Sequence, residues 1–170
     1  MKLSPDSVSQ LLTYAQLGVA FAGFAGVIGA FSRFRIHPEA TAFRVRAMVA
    51  IALMEVACSL APAMIAGFAT SEIVAWRVSS GLAAFAGITL MIVLARQSRV
   101  LFRTDKLDTK VSFYPLVSAY TLVTLPLFAT ALGFAERYTV AVYFGQLFFG
   151  MLLCSFYFIM LMIAVKLDDK

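Results

Sequence analysis

The chain has 170 residues, 62% of them hydrophobic and 14% charged, with a formal net charge of +5 and a mean hydropathy of +0.90. Soluble domains carry about 25% charged and about 45–50% apolar residues, so this composition excludes a water-soluble globule. The apolar residues come in runs of about 20, the length of a membrane-spanning helix, and they lack the strict alternation of the roughly ten-residue strands of a membrane barrel.

Five runs stand out, at 11–31, 47–69, 78–95, 113–134 and 139–165. The segments between them are too short for a soluble domain. The sequence predicts an all-α, polytopic integral membrane protein, one five-helix transmembrane domain over 1–170.

The first run opens with a helix-start signal. Ser4 serves as cap, Pro5 takes the first helical position and Asp6 meets the positive dipole end. Only Lys2 precedes it and the run exceeds the 7–15 apolar residues of a signal peptide, so it is read as a retained helix. Within it Gly18, Ala22, Gly26 and Ala30 recur every four residues, read as one helix-packing face, with Gly23 and Gly29 widening it. Small residues let membrane helices approach closely. The neighbour is either another helix of the chain or a second subunit, and the small interior of the chain points to a homo-oligomer.

Next comes a basic loop with Arg33, Arg35, Arg44 and Arg46 against Glu39 alone. The loop after the third run is also basic, with Arg96, Arg99, Arg103, Lys106 and Lys110 against Asp105 and Asp108. The other two loops hold one base each, Arg77 and Arg137. Basic loops stay in the cytoplasm, which predicts the N-terminus outside and the C-terminus inside. Trp76 and Tyr138 then fall near the outer interface. The basic loops would meet anionic lipid headgroups; no nucleic acid partner is expected. Val100, Leu101 and Phe102 among arginines suggest that helix three runs on past its apolar stretch.

The second run holds a carboxylate, Glu55, about 4.5 Å from its middle at 1.5 Å per residue. An acid at such depth costs about 2.5–3.5 kcal/mol on insertion scales. At 100° per residue, Ala52, Glu55, Ser59, Pro62 and Ala66 share one side, together with Met48 and Ile51; Leu53, Ala57, Leu60 and Met64 share the other. Pro62 removes the hydrogen bond to the Cys58 carbonyl and predicts a helix bend with a freed acceptor one turn from the acid. No base lies at matching depth in the other runs. Three readings follow. Glu55 is a neutral structural acid, or lines a permeation path repeated around an oligomer, or recognises a ligand or partner group. Acid rings favour cations.

Polar partners are expected from the last two runs. Gln146, Gly150, Tyr157 and Ala164 share a face of the fifth; Tyr114, Ser118 and Thr121 share one of the fourth, before a bend at Pro126. Gln16 adds a polar group in the first run.

Cys58 and Cys154 are single, and His37 is the only histidine. That pattern offers no paired thiols for redox exchange, no metal-ligand set and no cofactor site. The sequence is read as a non-enzyme: a small homo-oligomeric channel for cations or protons, with Glu55 on the path and Ser59, Gln146 and Tyr157 as further polar groups. The alternative is a non-conducting membrane subunit, or a module holding a lipophilic ligand within a larger complex. A bacterial cytoplasmic membrane is the expected location.

Overall fold

The computed structural model describes residues 3–31, 38–103, 110–134 and 136–168. The described chain is all helical. It comprises α1 (Pro5–Phe31), α2 (Pro38–Ala66), α3 (Glu72–Arg103), α4 (Lys110–Ala131), a single 3-10 turn (Glu136–Tyr138) and α5 (Thr139–Asp168). Four of these are long and apolar enough to cross a membrane; over the described residues the apolar stretch of α4, Tyr120–Ala131, is shorter. The molecule has the build of a helical integral membrane protein. Its outer surface fits that solvent: Phe24, Leu53, Met64, Phe85, Leu122 and Ile159 all point outwards.

The helices outrun the apolar runs that announce them. α2 begins at Pro38 rather than 47, and α3 extends over Glu72–Arg103 rather than 78–95. Hydropathy marks where side chains can meet lipid, whereas Arg is a good helix former and carries the backbone on through Arg96, Arg99 and Arg103. Much of the two basic loops, including Arg33, Arg35, His37, Lys106 and the side chain of Lys110, lies outside the described residues, as does the side chain of Tyr114.

The α1 start is as its sequence signals: the Ser7 amide donates to Ser4 Oγ at 3.2 Å. At the far end of α4, Gly133 takes a positive φ of 91°. Its amide donates to the Thr130 carbonyl and that of Phe134 to the Ala129 carbonyl, the paired bonds of a Schellman stop. Arg77 completes this stop. Its Nε donates to the Ala131 carbonyl, its Nη1 pairs with Glu136 at 3.3 Å, and its guanidinium covers Gly133 so closely that a Cβ there would meet Nη2 at 2.6 Å. A base that crowds the start of a span thus caps its neighbour, where a cation suits the negative dipole end.

α2 and α5 are the centre of the bundle. α2 packs against α1, α3 and α5, α4 packs against α3 and α5, and α1 leans chiefly on α2. The seam that α1 presents is not the four-residue stripe. Its inward residues are Leu11, Ala15, Gly18, Ala22 and Ala25, with Gly29 against Val45. Steps of four drift by about 40° each around a helix of 3.6 residues per turn, while alternating four and three stays on one line. Gly18 lies on the seam, where a Cβ would meet the Ala52 carbonyl at 2.9 Å, but Gly26 has nothing near it and Ala30 is exposed. Trp76 turns inwards. It is buried edge-on to Tyr143 at 5.5 Å, and its indole N–H donates to Glu72. Tyr138 is exposed.

Candidate functional site: a buried carboxyl between two apolar cores

Glu55 lies where the two apolar cores of the bundle meet. One core gathers Met48, Ile51, Met91, Leu94, Leu153 and Leu161 towards the C-terminal half of α5. The other gathers Leu11, Trp76, Ala84, Leu127 and Leu147 towards its N-terminal half. The division of α2 into two faces is as the sequence spacing implies. Ala52, Glu55, Ser59 and Pro62 are buried, with Met48 and Ile51 beside them, while Leu53, Leu60 and Met64 are exposed.

The Glu55 side chain retains 1% of its exposure. It fits because α5 offers Gly150 directly opposite: a Cβ on Gly150 would overlap the Glu55 carboxyl. Oε2 has no hydrogen-bond partner. Among the described residues no Lys or Arg pairs with the acid. The ionisable groups that interact with it are Tyr14 of α1, Cys58 of its own helix, Tyr120 of α4, and Tyr143 and Cys154 of α5. Among the described residues no three His, Cys, Asp or Glu side chains converge as metal ligands.

Gln146 is buried one turn along α5 from Gly150, and neither of its amide atoms is aligned in a hydrogen bond. The Tyr120 hydroxyl lies close enough to interact with that amide. Ser59 is buried beside the acid but turned away from its carboxyl, its hydroxyl donating to the Glu55 backbone carbonyl at 2.7 Å. That is the usual local bond of a serine in an apolar helix. Tyr157 shares the α5 face with Gln146, yet it lies seven residues beyond Gly150, about 10 Å further along at 1.5 Å per residue, and interacts with Arg44 instead. The structure therefore gathers Glu55, Ser59 and Gln146 and sets Tyr157 apart. Gln16 and Ser118 are exposed.

The acceptor freed by Pro62 has a partner that the sequence reading did not name. The Tyr143 hydroxyl donates to the Cys58 carbonyl at 2.6 Å. The signal is a phenol one turn before Gln146 on α5, opposite a proline on α2. It went unread because helix pairing, not spacing along one chain, brings the two together. Two further buried hydroxyls, Ser80 of α3 and Thr139 at the start of α5, are also unpartnered.

A groove of about 540 Å³ opens elsewhere, between α1 and α5. Tyr14, Leu17, Phe21, Phe148, Met151 and Ser155 are among the residues that line it; Glu55 is not. The chain matches no family model, no curated protein and no solved structure.

Proposed function

We propose that the protein moves protons or small cations across its membrane by way of Glu55. One observation carries this reading: among the described residues a carboxyl oxygen deep in an apolar bundle lacks a hydrogen-bond partner and a compensating base, near an amide that makes no aligned hydrogen bond. Buried polar atoms are nearly always satisfied in native proteins, and an exception asks for a water, an ion or a working role. An intramembrane acid is by default a group on a proton or ion pathway. The carboxyl is enclosed by helices of its own chain, which favours a path through each bundle over a ring of carboxyls on a shared axis. Ser59 and Gln146 belong to that path; Tyr157 would belong to its basic end.

The orientation proposed has the N-terminus outside, on the bias of arginine and lysine to the α1–α2 and α3–α4 connections, in a bacterial cytoplasmic membrane. Those bases would sit among anionic headgroups. A homo-oligomer remains part of the proposal, with the exposed Gly23, Gly26 and Ala30 of α1 as its contact.

The α1–α5 groove favours a second reading, a non-conducting module that holds a lipophilic ligand. Its volume falls within the roughly 300–1,000 Å³ of small-molecule sites, and its walls are mostly apolar. Ion and proton flux in proteoliposomes separates the two. Wild type is expected to conduct and Glu55→Gln, which keeps size and removes the titratable group, to lose flux while staying folded. Equal flux in both overturns the role of Glu55. No flux from either favours the second reading, and the native protein should then copurify with a lipophilic molecule.

A further inference from the structure

The unpartnered buried polar atoms are not scattered. Among the described residues they are Glu55 Oε2, both amide atoms of Gln146, Ser80 Oγ and Thr139 Oγ1. Their heights along the bundle follow from three contacts. Gly150 faces Glu55, a Cβ on Gly87 would meet the Tyr120 hydroxyl at 3.2 Å, and that hydroxyl reaches Met54, beside Glu55 in sequence, at 4.0 Å. Gly150 and Gly87 therefore mark the level of the acid. At 1.5 Å per residue, Gln146 lies about 6 Å above that level, Ser80 about 10 Å and Thr139 about 16 Å. All rise towards the same end, because Trp76 of α3 packs on Tyr143 of α5 and both helices start there.

We infer that the standing water access of Glu55 is from the Thr139 end of the bundle, by a file of water bound at Thr139, Ser80 and Gln146, while the half around Met48 and Leu161 is a dry barrier that opens only transiently. The inference rests on the proposed role of Glu55 and adds its direction of access. Along the bundle axis successive polar levels are about 4–6 Å apart, a rise that one water between two hydrogen bonds of about 2.8 Å can span. A bound water needs two to four polar partners, and each level supplies at least one unclaimed atom. Trp76, Leu127 and Leu147 line the same half, which holds the unpartnered atoms of Gln146, Ser80 and Thr139. On the other side Met48, Ile51, Leu153 and Leu161 close the bundle. Among the described residues no unpartnered buried polar atom lies there.

Cysteine accessibility tests the direction. Ser80→Cys and Thr139→Cys, both close in size to the native residue, are made in a chain with Cys58→Ala and Cys154→Ala and reconstituted in one orientation. Ile51→Cys and Leu153→Cys mark the opposite half. Silver ion, small enough to follow a file of water, is applied to one face at a time. Both upper thiols should react from the Thr139 face, at least about tenfold faster than the lower two, since dry buried positions react only through local opening. Equally fast reaction of the lower thiols from the Tyr157 face, or protection of Ser80→Cys while Glu55-dependent flux persists, overturns the one-sided file and leaves the role of Glu55 standing. Flux that ignores Glu55→Gln in the parent chain removes that role itself.

Discussion

Gly150 and Glu55 form a matched pair, a missing side chain on α5 and a carboxyl on α2 that occupies its place. Gly150→Ala forces the two to overlap. Overpacking of this kind costs about 1–3 kcal/mol, read as a lowered unfolding midpoint in detergent. The account predicts that Glu55→Ala relieves the clash, so the double variant is more stable than the sum of the singles by about 0.5–3 kcal/mol. Additive effects would mean that the acid does not sit against α5. Tyr143 carries a separate expectation. Tyr143→Phe leaves the Cys58 carbonyl without its donor, at a cost of about 1–3 kcal/mol for a buried acceptor. An unchanged midpoint would show that another donor satisfies that carbonyl. Glu55 itself was legible in the sequence, because a lone acid in an apolar run needs no tertiary information to be noticed. Gly150, Tyr143, Ser80 and Thr139 were not: their roles depend on which turn of one helix meets which turn of another.

At the scale of the helix, α1 separates two glycines that look alike in sequence. Gly18 faces the backbone of α2, and Gly26 faces open space. Gly18→Leu should drive α1 from α2 and destabilise the fold by about 1–3 kcal/mol. Gly26→Leu should leave the midpoint within about 0.5 kcal/mol. If the proposed oligomer uses that exposed face, Gly26→Leu instead lowers the assembled fraction in sedimentation without touching the monomer fold. Equal destabilisation by both would contradict the alternating seam. The α4 stop offers a similar contrast. Gly133→Ala places a Cβ at a positive φ and under the Arg77 guanidinium, for a loss of about 1–2 kcal/mol. Five apolar runs announced five helices because lipid allows few alternatives to a backbone bonded to itself. Helix ends lay beyond the apolar runs, since hydropathy is silent on charged turns, and within the chain only Gly18 and Ala22 of the four-residue repeat face inwards, because steps of four drift around the helix.

For the whole molecule, the bundle places two apolar cores end to end with one acid between them. That arrangement suits a barrier with a single protonatable station better than an open pore, and an apolar exterior keeps the station inside the membrane. The proposed orientation adds a polarity: the Thr139 end faces outwards and the end near Arg44 faces the cytoplasm. Whether Glu55 is a working acid or a sealed one is the question on which the account stands. The infrared C=O stretch of its carboxyl, assigned by difference against Glu55→Gln in reconstituted protein, answers it most directly. The account predicts that the band is present and shifts on transfer to deuterated buffer as fast as mixing allows. A band that keeps its hydrogen for hours while the amides around it stay protected would contradict it, and would make Glu55 a structural acid held shut between α2 and α5.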